Sequence, residues 1–206
     1  NKCETKKKYA KTINADSLEI ICKEAKNINA LVIHFSTDFI FDGIKKKPYT
    51  ELDYAQPINN YGKSKLEGEK KILNSSLKNS LIIRTSWLYS EFGNNFVNTI
   101  IRNIKENKCI SVVDDQIGSP TNALELARVI LNIIPIIRNN HTDIYHFSNL
   151  GYCSRYDFAF FIKKLIKSNV EIKKIKSDDN VKRPRFSALD SEKIKNKFNL
   201  EIIDWK

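Results

Sequence analysis

Two short segments, LVIHFS (31–36) and SLIIRT (80–85), constrain the fold of this chain more than any other feature of its sequence, because each contains an apolar run of three residues. A strand that is apolar at nearly every position is buried on both faces, which is typical of a parallel sheet covered by helices. Stripes of apolar residues three and four positions apart, typical of helices, alternate with these runs at residues 10–26, 96–104, 123–134 and 158–166. The alternation predicts an α/β fold with a mainly parallel sheet flanked by helices.

Shorter segments complete this prediction. Residues 110–113 and 144–147 have the composition of strands, and we expect residues 110–113 to join the same sheet as the two apolar runs. The irregular stretch 173–185 is predicted to be a surface loop.

The composition argues against several classes of protein. No apolar run approaches the ~20 residues of a membrane span. The four cysteines form neither a C-x-x-C pair nor a close cluster with histidine, which argues against a disulfide framework and a zinc site. We therefore expect a cytoplasmic protein with no metal and no membrane partner. The net charge of +11 comes from scattered lysines without a recognition motif, so solvated surface explains it better than a nucleic-acid partner.

Polar residues directly follow the predicted strands. An open parallel sheet binds ligands beyond the carboxyl ends of its strands, and those positions hold Thr37, Asp38, Trp87, Asp115 and Gln116. The sequence therefore predicts that these side chains gather at one edge of the sheet.

Tyr61 and Lys65 are four residues apart, so on a helix their side chains share one face. An ammonium one turn away from a phenol favours the phenolate and lowers the phenol pKa from its usual value of about 10. Tyr61 would then donate a proton to a carbonyl oxygen, with Thr37 as a second hydrogen-bond donor to that oxygen. On spacing alone, the alternative is a surface tyrosine beside a solvated lysine.

Several segments, in this order, resemble the dTDP-4-dehydrorhamnose reductases, a branch of the extended short-chain dehydrogenase/reductase family. These segments are HFSTDFIFDG (34–43), NYGKSK (60–65), RTSWLY (84–89), DQIGSPT (115–121) and RPRFSAL (183–189). The resemblance implies a modified Rossmann fold. Residues 1–145 would form what remains of the dinucleotide-binding domain with substrate-binding insertions, and residues 146–206 a small C-terminal substrate-binding portion.

The resemblance also implies an activity. NADPH or NADH would reduce the 4-keto group of dTDP-4-dehydro-L-rhamnose to give dTDP-L-rhamnose, which links the chain to surface polysaccharide biosynthesis. The expected partner is thus a nucleotide-sugar, and a homodimer is compatible with it. Carried over by motif, Tyr61 would be the proton donor, and Lys65 would bind the nicotinamide ribose.

Other residues receive roles from the same resemblance. Thr37 and Asp38 would contact the sugar, and Trp87 would line its pocket. The family's helix asparagine, which helps to organise a proton relay, matches Asn14; a solvent-facing helical asparagine is the alternative.

Three residues have weaker assignments. Asp115 and Gln116 are candidates for nucleotide-sugar binding, although strand-end loops also use such residues structurally. Arg183 is a candidate for the diphosphate, because guanidinium groups suit phosphate oxygens; a surface charge is the alternative.

The chain departs from the family at its start. None of its six glycines belongs to the Gly-rich turn that meets a dinucleotide pyrophosphate, and the chain begins at Asn1 and contains no methionine. These features predict a fragment or a trimmed polypeptide that is inactive by itself.

Three other functions remain open at this stage. A nucleotide-sugar epimerase or dehydratase would share the fold and the Tyr61–Lys65 pair; dehydratases, however, have glutamate after Asp38, where this chain has Phe39. A non-catalytic regulatory homologue, like the regulatory subunit of methionine adenosyltransferase, is the second. The third is a nucleic-acid binder, and only the charge supports it.

Overall fold

The computed structural model of the chain describes residues 2–78, 80–137, 141–178 and 180–206. The α-helices in these residues are α1 (Lys2–Thr5), α2 (Lys7–Lys11), α3 (Ser17–Asn27), α4 (Asn60–Asn74), α5 (Phe96–Glu106), α6 (Ala123–Ile133), α7 (Arg155–Leu165) and α8 (Glu192–Phe198). The strands are β1 (Val32–Thr37), β2 (Ser80–Thr85), β3 (Leu88–Tyr89), β4 (Cys109–Val113), β5 (Ile117–Gly118), β6 (Thr121–Asn122), β7 (Asp143–His146), β8 (Cys153–Ser154) and β9 (Glu171–Ile175). None of the helices in these ranges is long and apolar enough to span a membrane.

A three-stranded parallel sheet, in the order β1-β2-β7, forms the centre of the fold. Thr37 of β1 lies beside Thr85 of β2, and Arg84 of β2 lies beside His146 of β7. The three carboxyl ends therefore meet at one edge, as the sequence predicts. The α/β prediction is confirmed, because a parallel sheet lies between helices.

Helices cover both faces of this sheet. On one face, Ile82 packs with apolar residues of α3 and α4, namely Leu18, Cys22, Ala25 and Ile72. On the other face, Leu81 and Ile83 pack with apolar residues of α6 and α8, namely Leu126, Val129, Ile130, Ile133 and Ile194. Burial of one such side chain contributes about 1.5–3 kcal/mol. All six residues of β2 are buried, which explains why residues 81–83 are apolar without alternation.

Residues 109–113 lie outside the central sheet, so the prediction that they join it is wrong. They pair in parallel with β9 instead. The pattern of β4 gives the physical reason: Cys109 and Ser111 are exposed, whereas Ile110 and Val112 are buried. A strand with one exposed face belongs to a sheet that is covered on one side only. This sheet packs against α5 and α7 around Ile104, Phe158, Ile162 and Ile172.

The predicted loop at 173–185 is also wrong at its start, because residues 171–175 form β9. Ile172 is the one buried residue of this strand, and the lysines around it are exposed. Its sequence therefore lacks the apolar alternation by which strands are recognised.

The predicted helix at 10–26 is present but interrupted by a π-helical turn, Thr12–Asp16, between α2 and α3. Helix α4 packs closely against this turn: a Cβ atom on Gly68 would lie 2.1 Å from the Asn14 carbonyl oxygen. Such close backbone contact requires glycine at position 68. The π turn thus adjoins the helix that carries Tyr61 and Lys65.

A buried ion pair joins α4 to the sheet. Arg84 Nε and Nη2 donate to the two carboxylate oxygens of Glu69 at 3.0 and 2.7 Å, and both side chains are at most 5% exposed. Arg84 Nη1 lies 3.3 Å from His146 Nε2, while His146 Nδ1 lies 3.0 Å from the Tyr49 carbonyl oxygen. Burial lowers the pKa of His146 to about 3. The ring is therefore neutral, with Nδ1–H donating to Tyr49 and Nε2 accepting from Arg84.

We predict that Glu69→Gln lowers the free energy of unfolding by about 3–5 kcal/mol, because it leaves the Arg84 guanidinium buried without a counter-charge. Urea denaturation followed by circular dichroism measures the loss. The control is Glu192→Gln, whose carboxylate is paired with Lys195 on the surface and should contribute less than about 1 kcal/mol. Equal losses in the two variants would contradict the role of the buried pair.

Candidate functional site

The amino end of α4 meets the carboxyl end of β1, and this junction positions Tyr61. Asn59 caps the helix by accepting from Gly62 N at 2.8 Å, and its side-chain amide donates to the Lys182 carbonyl at 3.0 Å. A Cβ atom on Gly62 would lie 2.1 Å from the Phe39 carbonyl oxygen, so only glycine permits this approach. The Phe39 and Tyr61 rings pack edge to face, with centroids 5.9 Å apart.

Tyr61 and Thr37 interact at this junction, as the sequence predicts for two groups at one edge of the cleft. Burial raises the pKa of Tyr61, the neighbouring Thr37 hydroxyl lowers it, and the charge of Asp38 raises it further. Thr37 Oγ1 also donates to Asp38 Oδ1 at 3.1 Å and accepts from Phe39 N at 3.2 Å. The phenol is thus held within a polar strand end, and it is protonated at neutral pH.

The predicted lowering of the Tyr61 pKa by Lys65 is wrong, because burial dominates and Lys65 is directed elsewhere. Lys65 Nζ donates to the Phe35 carbonyl at 2.6 Å and lies 3.2 Å from His34 Nε2. Burial lowers the pKa of Lys65. Burial, followed by the Lys65 charge, also lowers the pKa of His34 to about 4. The neutral imidazole can therefore accept from the ammonium, which fixes Lys65 over the edge strand β1.

Asp38 is buried, and its carboxylate oxygens already have partners. Thr37 donates to Oδ1, and Ser187 Oγ donates to Oδ2 at 2.5 Å. Burial raises the pKa of Asp38 to about 6, although the two hydroxyls and the charge of Arg155 oppose that rise. Asp38 thus links the end of β1 to the C-terminal segment; a sugar contact remains a proposal.

Asn14 lies next to the same helix turn. Its Nδ2 donates to Ser64 Oγ at 3.0 Å, and Ser64 Oγ donates to the Tyr61 carbonyl at 2.8 Å. The side chain therefore bonds within the protein, which argues against the alternative of a solvent-facing asparagine.

A cavity of about 540 Å³ opens beside Tyr61. Its lining residues are Cys3, Phe39, Tyr61, Phe96, Val113, Gln116, Arg155 and Arg183. Three of the predicted site residues, Tyr61, Gln116 and Arg183, thus share one cavity. A larger cleft of about 840 Å³ is lined by residues between 2 and 12, most of them lysines. Because that cleft contains none of the chemistry-bearing residues, we assign the site to the smaller cavity.

Trp87 and Asp115 both have partners within the protein. The Trp87 indole is covered by the Arg155 guanidinium, 3.6 Å from the ring centroid, and by Gly118, where a Cβ atom would lie 2.5 Å from the indole. Asp115 accepts from Ser177 N at 3.1 Å and forms an ion pair with Arg185. Trp87 therefore supports the Arg155 guanidinium, and Asp115 holds the segment after β9. A sugar contact by Trp87 and nucleotide-sugar binding by Asp115 remain proposals.

Arg155 is the cavity residue that the sequence analysis missed. Ser154 caps α7, and Asp157 completes a capping box; the S-x-x-D spacing predicts a helix start there. The spacing indicates where Arg155 lies in the helix, but nothing local to the sequence indicates that its guanidinium faces Tyr61 and Arg183.

Comparison with known proteins identifies the family. The chain matches the RmlD substrate binding domain over residues 1–206. A dTDP-4-dehydrorhamnose reductase of Aggregatibacter actinomycetemcomitans is 38% identical over 209 residues, covering 96% of this chain and 71% of the relative. The chain belongs to the dTDP-4-dehydrorhamnose reductase family. The reductase of Escherichia coli K12 is 36% identical over 217 residues, which cover all of this chain and 72% of that enzyme.

Solved structures of reductases in this family share the fold. The Bacillus anthracis dTDP-4-dehydrorhamnose reductase, solved in complex with NADP, superposes with a TM-score of 0.91 at 33% identity, covering 99% of this chain and 72% of that one. An orthologue from Clostridium acetobutylicum superposes with a TM-score of 0.89 at 36% identity, covering 98% of this chain and 71% of that one. The dTDP-glucose 4,6-dehydratase DesIV of Streptomyces venezuelae superposes with a TM-score of 0.80 at 15% identity, which shows a common fold alone.

We predict a pH-dependent effect of Asp38→Asn on stability. Because the folded state binds the Asp38 proton more tightly than the unfolded chain does, the wild type loses stability as pH rises from about 4 to about 6. The free energy of unfolding of the wild type, relative to that of the variant, should fall by roughly 2 kcal/mol between pH 4 and pH 7.

Urea denaturation at each pH measures this difference, and Asp16→Asn provides the control for loss of an exposed carboxylate. Parallel curves for wild type and Asp38→Asn would show that Asp38 titrates alike in the folded and unfolded states.

Proposed function

We propose that this chain takes part in the NAD(P)H-dependent reduction of dTDP-4-dehydro-L-rhamnose to dTDP-L-rhamnose, as the proton-donating and sugar-nucleotide-binding side of the site. The contact between Tyr61 and Thr37, beside a cavity lined by two arginines, is the observation that supports this most. The reaction needs a proton donor beside the carbonyl oxygen and a cationic place for a diphosphate. The cavity contains both kinds of group.

In this proposal Tyr61 acts as the general acid. Its O–H bond breaks as the proton passes to the O4 oxygen, while the C4 carbon gains a hydride and the ketone becomes a hydroxyl. Bound NADPH or NADH supplies that hydride. The raised Tyr61 pKa keeps the proton in place at neutral pH. The Thr37 hydroxyl, which donates to Asp38 Oδ1 in this structure, would turn its one hydrogen towards the phenolate to stabilise it.

Lys65 and His34 fit the nicotinamide end of the cofactor. The ammonium stands at the edge strand β1, where the Phe35 ring is 44% exposed. Two of its three donors engage the protein, which leaves one for a ribose hydroxyl. Buried hydroxyls without protein partners, Ser36 and Thr85, lie at the ends of the neighbouring strands β1 and β2. Such groups are normally satisfied by water or a ligand.

The pyrophosphate end has no matching residues in this sequence. Backbone N–H groups of a Gly-rich turn at a helix N-terminus usually bind it, and the six glycines of the chain form no such turn. Only the nicotinamide end of the cofactor therefore has residues that fit it.

The dehydratase alternative is less well supported. Phe39 occupies the position after Asp38, packs against Tyr61 and lines the cavity. An apolar ring in that place offers no second acid or base. A non-catalytic regulatory homologue would not reduce the sugar nucleotide, so a measurement of turnover distinguishes this alternative from the reductase.

We predict that Tyr61→Phe cuts turnover by about 100-fold or more with little change in dTDP-sugar affinity, because it removes a group needed mainly in the transition state. Turnover is measured by NADPH oxidation in a preparation that contains these residues and reduces the sugar nucleotide. Tyr54→Phe is the control, since Tyr54 is 84% exposed. Near-normal turnover of Tyr61→Phe would exclude Tyr61 as the proton donor.

We further predict that the 206-residue polypeptide binds NADPH weakly and does not reduce dTDP-4-dehydrorhamnose by itself. The reason is that Tyr61 and Lys65 reach only the nicotinamide end. Nicotinamide fluorescence during titration measures the affinity, and Lys65→Ala should reduce any residual signal. Saturable binding at micromolar NADPH would contradict this prediction.

A further inference from the structure

Arg155 presents a cation to the cavity without a matching anion. No carboxylate of the described residues lies within ion-pair distance of its guanidinium. The Asp38 charge is near enough to affect its pKa, but both Asp38 oxygens accept from hydroxyls. A guanidinium has five donors and is costly to desolvate unpaired. This part of the structure is therefore suited to an external anion.

Aromatic packing fixes the orientation of that cation. The guanidinium lies 3.6 Å from the Trp87 ring centroid and 4.9 Å from that of Phe96. Stacking of this kind attracts the cation while leaving the N–H groups at the rim of the guanidinium plane. The Arg155 backbone N also donates to the Gln116 carbonyl at 3.1 Å, which joins this turn to another cavity residue.

A second guanidinium faces the same space. Arg183 lines the cavity with Arg155, and its charge helps to lower the Arg155 pKa to about 10, with burial as the larger cause. None of the described residues that line this cavity is acidic. Two cations that face one cavity repel each other, and a dianion between them would remove that repulsion.

We propose that Arg155, stacked on Trp87, binds the diphosphate of the nucleotide-sugar and selects for diphosphate over uncharged nucleosides. This assignment rests on the proposed function for the choice of dTDP as ligand, but the cation pair itself does not. In this arrangement Trp87 acts through Arg155, as its platform, instead of touching the sugar directly.

Calorimetric titration of the 206-residue chain with dTDP, thymidine and inorganic pyrophosphate tests the proposal. Arg155→Met, which keeps much of the length without the charge, should weaken dTDP binding about 10- to 100-fold. Thymidine affinity should not change. Arg155→Lys should recover part of the loss, because it restores the charge without the planar fork. Arg128→Met is the control, since Arg128 is exposed and paired with Glu125.

Thermal unfolding of each variant verifies that it is folded. Unchanged dTDP affinity in Arg155→Met, or an equal loss for thymidine, would overturn the proposal, and so would the absence of binding to the wild type. If pyrophosphate binds as tightly as dTDP and still depends on Arg155, the anion site stands and the choice of a dTDP-sugar as its ligand fails.

Discussion

The buried Arg84–Glu69 ion pair fixes the helix on which the site depends. Tyr61, Lys65 and Glu69 are four residues apart along α4, so they form one face of that helix. At one end of this face Glu69 binds Arg84 of β2, and in the middle Lys65 bonds to β1. At the other end Tyr61 meets Thr37. A bidentate pair between rigid elements permits little rotation of the helix, so a contact within the core sets the direction of the phenol at the surface.

The chemistry of the cavity follows from this placement and from burial. Burial raises the pKa values of Tyr61 and Asp38 and lowers those of Lys65 and Arg155. All four shifts favour the neutral form, as desolvation requires. A charged ligand in the cavity would therefore shift the pKa values of these groups further. A diphosphate beside Arg155 would raise the pKa of its guanidinium again, while the proton of Tyr61 remains available for transfer.

The sequence predicted the features that depend on local patterns. The three apolar residues 81–83 indicated the buried strand β2, and residue 37 directly follows a predicted strand. Long-range contacts decided the rest. Lys65 bonds to β1 instead of acting on Tyr61, Trp87 is covered by a residue 68 positions later in the chain, and Asp115 pairs with a distant segment. Spacing along the sequence contains no information on these partners.

The reacting oxygen is proposed to bind where Tyr61 and Thr37 lie side by side. A crystal structure of a complex with dTDP-L-rhamnose would locate it. We expect the O4 hydroxyl about 2.6–3.2 Å from both Tyr61 Oη and Thr37 Oγ1, with the diphosphate beside Arg155. A sugar bound in the lysine-lined cleft, or one whose O4 lies beyond hydrogen-bond reach of Tyr61, would contradict it.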